Sequence, residues 1–258
     1  MKNRNMDEET KEAEKRLLKE AIFNKDSNIR RQEIAMLGKM GDPAYLEVFM
    51  RALHDKDKGV REQAAYGLAA LGSVAVNPLI DLIRSETDWK VRYRAAEALG
   101  LMKINEASNP LIELLSDEDP LARKHAIYLI GMCRNTDCIP ALIHGLRDEE
   151  KVVRAQAVQA LVAIGEPALK DLINLLKDSD WKVRYRAAEA LGMIGDEKAA
   201  GPLIGILSDK KDHVRYIAAK SLGMLRAQVA REPLRKCLSD ENQYVRAMAT
   251  SSLIKIGN

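Results

Sequence analysis

A thirteen-residue segment occurs twice in this sequence without a change. Asp88 to Gly100 reads Asp-Trp-Lys-Val-Arg-Tyr-Arg-Ala-Ala-Glu-Ala-Leu-Gly, and Asp180 to Gly192 repeats it. Weaker copies occur along the rest of the chain. Self-similarity at a fixed period is the signature of repeat architectures, so the repeated unit has to be identified before domains are counted from length.

The copies align on one arginine in each unit, which we call the framework arginine. Neighbouring framework arginines are 31 residues apart, except for one spacing of 30. The seventh residue after each is Leu or Ile, within a helical pattern of apolar positions, and a second apolar helix precedes it. The pattern predicts eight two-helix repeats, centred on Arg30, Arg61, Arg92, Arg123, Arg154, Arg184, Arg215 and Arg246.

The sequence also predicts the ends of the second helix in each repeat. An aspartate four residues before the arginine can cap its start in five repeats, at Asp26, Asp57, Asp88, Asp119 and Asp180. A glycine eleven residues after the arginine can end it, at Gly41, Gly72, Gly165, Gly195 and Gly257. Five repeats carry a further glycine eight residues after the arginine, which costs about 1 kcal/mol relative to alanine inside a helix. We expect close contact between helices to offset that cost.

One helix hairpin cannot bury both of its apolar faces, so neighbouring repeats must stack on each other. The predicted fold is all-α: an α-solenoid, or superhelix, of eight repeats of about 31 residues in a single domain over residues 1–258. A charged helix over about residues 8–23 is expected to cap its N-terminal end.

Composition indicates a folded protein of the cytoplasm. No apolar run approaches the roughly 18 residues that a membrane span needs, and Met1 to Arg16 has no signal-peptide core. The cysteines are odd in number and lie in apolar helical stretches, which is typical of reduced, buried thiols. They are Cys133, Cys138 and Cys237.

The recurring pattern Pro-Leu-Ile-x-x-Leu, Asp, Val-Arg-x-x-Ala-Ala-x-Ala-Leu-Gly resembles HEAT repeats, in particular the phycobilisome-lyase-like subclass. The resemblance covers nearly everything from about residue 8 onward and implies an armadillo-like superhelix whose second helices line the concave face. It also implies that Asp and Arg six residues apart, such as Asp117 and Arg123, form a ladder between adjacent repeats. Asn24 stands where this aspartate should precede Arg30, which calls the first rung into question.

Six positions of the second helix share one arc opposite its apolar stripe: three and two residues before the framework arginine, and one, two, five and nine after it. Both tryptophans and six of the seven tyrosines fall on this arc, and only Tyr45 lies elsewhere. The arc also carries eleven Lys and Arg against four Asp and Glu. The candidate partner-binding residues are Tyr66, Trp89, Lys90, Tyr93, Arg94, Glu97, Tyr128, Trp181, Lys182, Tyr185, Arg186, Glu189, Tyr216 and Tyr244.

Two interpretations of this arc are open. Its aromatic residues could simply cover the joints between repeats, and its Lys and Arg could simply provide solubility. Rigid aromatic side chains beside arginine are, however, typical of binding hot spots. We therefore expect a non-enzymatic scaffold or adaptor that binds a protein or peptide, of acidic character, in an aromatic and basic groove. Oligomeric state stays open.

Other functions have less support. The resemblance to phycobilisome lyases suggests a bilin lyase subunit or a chromophore-handling chaperone. Nucleic-acid binding is the least favoured, because the positive residues are spread over all repeats without a dense basic run. No catalytic residue, cofactor or metal is expected, since the histidines lie in separate repeats without ligand spacing. These are His54, His125, His144 and His213.

The two identical segments differ from the other copies at positions on the arc. Their Trp, Lys, Tyr, Arg and Glu are all outward residues, and the segments lie three repeats apart. Duplication of a three-repeat block would explain the match, but the intervening repeats have diverged. We therefore expect two equivalent contact patches, and a partner that either touches both or carries two copies of one short motif.

Overall fold

The computed structural model describes residues 17–102 and 108–257, and all regular secondary structure in that part of the chain is helical. Contacts within the chain divide it into two compact units, Met1–Leu129 and Ile130–Asn258. A single domain over residues 1–258 stays a prediction. Of the predicted capping helix, residues 17–23 are helical and residues 8–16 lie outside the described part.

Each predicted repeat has both of its helices. Most first helices are short, and several end or begin in a 3-10 turn, whereas Ser73–Ser85 is as long as a second helix. The first helices cover 17–23, Leu46–Ala52, Ser73–Ser85, Ser108–Glu113, Ile139–Gly145, Leu169–Leu175, Ala200–Gly205 and Arg231–Lys236. The second helices are about four turns long and cover Ser27–Met40, Lys58–Leu71, Trp89–Met102, Pro120–Cys133, Lys151–Ile164, Trp181–Ile194, Asp212–Met224 and Gln243–Gly257.

The predicted helix ends are confirmed with one exception. All five aspartate caps accept a hydrogen bond from a backbone N–H of the first turn, as Asp57 does from Val60 at 3.0 Å. Four of the predicted terminal glycines have a positive φ: Gly41, Gly72, Gly165 and Gly195. The prediction for Gly257 is wrong, because it is the last residue of its helix. Arg134 and Arg226 hold a φ of 51° at the same position, so the repeat turns there even without glycine.

The core consists of the apolar stripes of both helices. The residue seven after the framework arginine is fully buried in seven repeats: Leu37, Leu68, Leu99, Ile130, Leu161, Leu191 and Leu222. Leu253 of the last described repeat is only half-buried, so complete burial depends on a following repeat. Tyr45 is buried, and Cys138 and Cys237 are free and buried as predicted. The side chain of Cys133 lies outside the described part.

The glycine eight residues after the framework arginine marks a close approach of helices, as expected. In four repeats it faces a small residue six after the arginine of the next repeat; the pairs are Gly38 with Gly67, Gly131 with Ala160, Gly192 with Ser221, and Gly223 with Ser252. At Gly100 the facing residue is Leu129, whose flexible side chain fills the same space. Close packing therefore offsets the helix-weakening effect of glycine.

A ladder of ion pairs joins consecutive repeats within each unit. The carboxylate of each rung belongs to the aspartate 25 residues after the arginine, in Arg30–Asp55, Arg92–Asp117, Arg184–Asp209 and Arg215–Asp240. The residue six before the arginine contributes its backbone carbonyl, as Asn24 does to Arg30 at 2.7 Å. The first rung is therefore complete, at 2.6 Å. The doubt that Asn24 raised about this rung was unfounded, because Asn24 contributes its backbone carbonyl and not its side chain.

Arg61 and Arg154 donate only to backbone carbonyls and do not pair with the carboxylate that the next repeat places opposite them. Glu86, the counterpart of Arg61, bonds instead to Nε2 of His54 at 2.7 Å. Asp178, the counterpart of Arg154, bonds to Arg147 at 2.5 Å. His54 and Arg147 thus take the place of the framework arginine as partners of these carboxylates, and each lies seven residues before that arginine. The sequence differs from the repeat pattern at both places. Glu86 stands where the pattern has Asp, and the spacing from Arg154 to the next framework arginine is 30 instead of 31.

Glu86 should make folding sensitive to acid. Backbone N–H of Asp88 and the His54 side chain lower the pKa of Glu86 from 4.5 to about 2. Because the folded state favours the charged form of Glu86, the stabilisation is fully present above the ordinary pKa of 4.5. It is lost as the pH falls from 4.5 to about 2. We expect Glu86→Gln to lower the melting temperature by a few degrees at neutral pH, with the difference from wild type vanishing toward pH of about 2.

The control for this prediction is Glu113→Gln. Glu113 pairs with Arg84 at 2.9 Å, but both side chains are about half exposed, and exposed pairs contribute little. Melting curves over a pH series will compare the three proteins. An equal pH dependence in wild type and Glu86→Gln would contradict the prediction.

Candidate functional site

The predicted outward arc is the exposed side of the second helices, with two exceptions. Among the described residues at those six positions, only Arg94 and Ile217 are buried. Both lie two residues after their framework arginine, at the edge of the arc. The aromatic candidates Tyr66, Tyr128 and Tyr244 are 46%, 45% and 65% exposed. The other aromatic candidates are half-buried, so one part of each ring packs on the protein and another part faces outward.

In the first copy of the repeated segment, five side chains form a contact network that we call the first aromatic cluster. The Trp89 ring stacks on the His125 ring, with centroids 5.8 Å apart. The Tyr93 ring lies 4.2 Å from the same histidine and its hydroxyl donates to Glu97 at 3.2 Å. The Arg94 guanidinium lies 5.1 Å from the Tyr93 ring and pairs with Glu97. The cluster therefore spans two repeats and is held in one arrangement.

The second copy forms a matching network, the second aromatic cluster. Trp181 contacts the ring of His213, with centroids 5.2 Å apart. The Arg186 guanidinium lies 5.3 Å from the Tyr185 ring and bonds to Glu189 at 2.9 Å. The Arg–Tyr–Glu arrangement thus follows from the sequence of the segment itself, and the tryptophan reaches a histidine of the next repeat in both units.

Charge and burial set the protonation states in the first cluster. Burial raises the pKa of Tyr93 to about 12, and the charge of Glu97 acts in the same direction. Burial also lowers the pKa of His125, with a smaller effect of the neighbouring Lys124 in the same direction. At neutral pH the cluster therefore presents a hydroxyl donor and an uncharged imidazole beside the arginine.

The surroundings of the two clusters differ in charge. A cavity of about 280 Å³ beside the first cluster is lined by Lys58, Arg61, Trp89, Lys90, Tyr93, Arg94 and His125. A cavity of about 310 Å³ beside His213 is lined by Asp212, His213, Tyr216, Asn242 and Tyr244. The first lining contains four Lys and Arg and no acid, whereas the second contains one acid and no Lys or Arg. The two patches share the Trp–His, Arg–Tyr and Arg–Glu contacts but not their electrostatic surroundings.

The remaining candidates are described helix by helix. Lys90 and Lys182 are exposed at the first turn of their helices. Partial burial raises the pKa of Tyr66, and the charges of Glu62 and Glu97 act in the same direction.

Two further groups of residues lie on the arc and were not predicted as binding residues. His125 and His213 occupy arc positions two after and two before their framework arginines, and the register alone could have placed them beside the tryptophans. Exposed methionines occupy the arc position nine after the arginine, at Met132, Met193 and Met224. Flexible, polarizable methionine side chains are common at adaptable binding surfaces, so this end of the arc adds apolar contact area.

Across residues 17–102 and 108–257, no helix combines the length and apolar character that crossing a membrane requires. Within the same ranges, no group of three or more His, Cys, Asp or Glu side chains is arranged to hold a metal ion.

The comparison with protein families decides the family. The model described as HEAT repeats matches residues 14–100, 108–174 and 169–254. The chain belongs to the HEAT repeat family. A second model, the PBS lyase HEAT-like repeat, matches residues 91–117 of this HEAT repeat chain. Both findings confirm the family and the subclass that the sequence resembled. The comparison with curated protein sequences found no match.

Solved structures confirm the α-solenoid class of this HEAT repeat chain. It is similar to a Kap121p mutant at 16% identity, covering 93% of this chain and 33% of that one with a TM-score of 0.65. It is also similar to Kap95p in a structure with RanGDP, at 14% identity, covering 95% and 40%, with a TM-score of 0.60. It thus spans well under half of both proteins.

A more distant similarity is to the complex of CpcE and CpcF of phycocyanin lyase from Nostoc sp. PCC7120. The identity is 22% over 93% of both chains, with a TM-score of 0.43.

Proposed function

We propose that this HEAT repeat chain is a non-enzymatic scaffold that binds a protein segment on the outward arc, with the two aromatic clusters as its anchors. The observation that carries the proposal is the fixed geometry of Trp89, Tyr93 and Arg94 and of their counterparts in the second copy. Half-buried aromatic rings already held by neighbours lose little conformational entropy on binding, and Trp, Tyr and Arg dominate hot spots.

The arrangement of charge favours a protein over a nucleic acid. Arg94 and Arg186 already pair with glutamates, so they are poorly available as phosphate contacts. Exposed methionines and tyrosines on the same arc supply apolar area, which protein interfaces use at their centre. Kap95p, which binds RanGDP, is a similar α-solenoid that binds a protein. That similarity supports the fold as a suitable scaffold.

The test is a capture experiment with the variant Trp89→Ala/Trp181→Ala. Loss of a hot-spot side chain costs about 2 kcal/mol or more, which is roughly 30-fold in affinity for each. We expect proteins retained by the wild type from the source cell to be lost by this variant, as quantified by mass spectrometry. Helicity and melting temperature should stay nearly unchanged, because neither tryptophan is fully buried.

The matched control is Val229→Ala/Leu238→Ala. Both residues are exposed and apolar, at 71% and 42%, but they lie in the first-helix region of their repeat. This variant should retain the same proteins as the wild type. Equal capture by the tryptophan variant would refute the binding role, and its unfolding would show that the tryptophans are structural.

The match of residues 91–117 to the PBS lyase repeat motivates a second candidate, a chromophore-handling protein. Mixing the chain with a bilin and an acceptor protein tests it by absorbance. No change in the bilin spectrum would remove this candidate and leave the protein-binding scaffold.

A further inference from the structure

Arg61 keeps an unused hydrogen-bonding edge. In the rungs of Arg30, Arg184 and Arg215, Nε and a second guanidinium nitrogen hold both oxygens of an aspartate carboxylate. Arg61 donates only to the backbone carbonyls of Asp55 and Lys56, and its Nε is buried without a partner. The atom that these three rungs fill with a carboxylate is therefore unsatisfied here, as is Nε of Arg92, which contacts Asp117 through another guanidinium nitrogen alone.

The cause is a change of partner in the next repeat. Glu86 takes the position of the rung aspartate, but its carboxylate accepts from His54 and from the backbone N–H groups of Thr87 and Asp88. A buried donor without a partner destabilises the folded state, because it has lost its hydrogen bond to water without gaining another. A ligand that supplied an acceptor would recover this free energy, so the site is prepared for an anion.

Arg61 lines the cavity beside the first aromatic cluster together with other cations. Lys58 and Lys90 are exposed there, and neither forms an ion pair with any residue that the structure describes. His125 lines the same cavity, and its Nδ1 is also buried without a hydrogen-bond partner. Unpaired cations and unsatisfied polar atoms thus meet at one place, with Trp89 in its wall.

We propose that this cavity, built around Arg61, binds the carboxylate of an Asp or Glu side chain in the bound protein segment, with an adjacent apolar residue on Trp89. This rests on the proposed scaffold function and adds the chemistry of the partner. A carboxylate is favoured because the same arginine edge holds one in three complete rungs, and Arg–carboxylate pairing is bidentate and directional. Lys58 and Lys90 attract the acidic segment.

The chain has only two tryptophans, so each cluster has its own fluorescent reporter. In a Trp181→Phe background, Trp89 alone reports on the cavity. The probe is a peptide of four glutamates around one phenylalanine, with blocked ends. Its control is the same peptide with glutamine for every glutamate.

We expect the glutamate peptide to change Trp89 fluorescence saturably and to bind at least ten times more tightly than the glutamine peptide. Arg61→Met should weaken binding by about tenfold or more, since hydrogen bonds to charged groups are among the strongest. Arg154→Met is the matched control, because Arg154 also donates only to backbone carbonyls. It should leave binding unchanged, because Arg154 lies in the other unit and does not line this cavity. Lys58→Gln/Lys90→Gln should lower the affinity for the glutamate peptide and make it less dependent on salt. The melting temperature should stay unchanged, because both lysines are exposed.

Three outcomes would overturn the proposal. These are equal binding of both peptides, unchanged affinity in Arg61→Met, or binding of inorganic phosphate or single-stranded DNA in preference to the glutamate peptide. Equal binding of both peptides would still agree with a protein-binding scaffold, because the tryptophan capture experiment tests that separately. Loss of capture by Trp89→Ala/Trp181→Ala together with unchanged Arg61→Met would refute the carboxylate site alone.

Discussion

Replacing Gly192 by alanine should destabilise the Ile130–Asn258 unit by about 3 kcal/mol, at the upper end of the cost of overpacking, whereas Gly100→Ala should be nearly neutral. A Cβ at Gly192 would lie 2.4 Å from Oγ and 2.8 Å from Cα of Ser221. Because Cα is backbone, rotation of the serine cannot relieve the clash. Ser221 is also fully buried and donates to the Ala188 carbonyl at 2.8 Å.

Gly100 is the matched control, since it ends the same thirteen-residue segment that Gly192 ends. A Cβ there would come closest to Cδ2 of Leu129, at 3.3 Å. A leucine side chain can move by the few tenths of an ångström that would relieve this contact. Alanine also gains about 1 kcal/mol of helix propensity over glycine, which offsets the tighter contact. The two substitutions therefore differ only in what the next repeat presents.

Denaturant unfolding of both variants measures this difference. The double variant Gly192→Ala/Ser221→Gly should recover part of the lost stability, because it removes the side chain that the new methyl group meets. Equal destabilisation at both positions would contradict the account, since it would place the effect in the helix itself and not in the contact between repeats.

The pair of glycines also illustrates what the sequence could predict. Helix number, helix ends and the outward arc follow from the position of each residue within its own repeat, so the periodicity was sufficient. Whether a glycine faces Ser221 or Leu129 depends on which residue of the next repeat comes opposite. That offset is a property of packing between helices, and the sequence pattern predicted the contact but not the residue in it.

The candidate site follows the same division. The Arg–Tyr–Glu contacts lie on one helix and could be predicted from spacing alone. Trp89 with His125, and Trp181 with His213, are contacts between repeats and were missed, although both histidines lie on the predicted arc. Nε of Arg61 has no partner because Glu86 bonds to His54 instead. The sequence shows that Glu replaces Asp at position 86, but it does not show that this replacement leaves Arg61 without a carboxylate.

Arg215→Met should cost about 3 kcal/mol of stability, the lower end of the range for breaking a buried ion pair. Arg215 is buried, and its Nε and a second nitrogen bond both oxygens of Asp240 at 2.8 and 2.9 Å. It also donates to the carbonyl of Asp209 at 2.9 Å. Methionine replaces the aliphatic part of the side chain, so the loss comes mainly from the carboxylate and carbonyl left without their donor.

Arg61→Met tests whether the rung, rather than the framework arginine itself, provides this stability. Arg61 lacks the carboxylate contact and keeps only the two backbone carbonyls of its own repeat, so we expect a loss of about 1 kcal/mol. Melting and denaturant curves of the two variants, each against wild type, give the comparison. Similar losses would mean that the carbonyl contacts hold the repeats in place. A much smaller loss at Arg61 would assign the stability to the carboxylate, and would explain how the chain can leave this one edge free for a ligand.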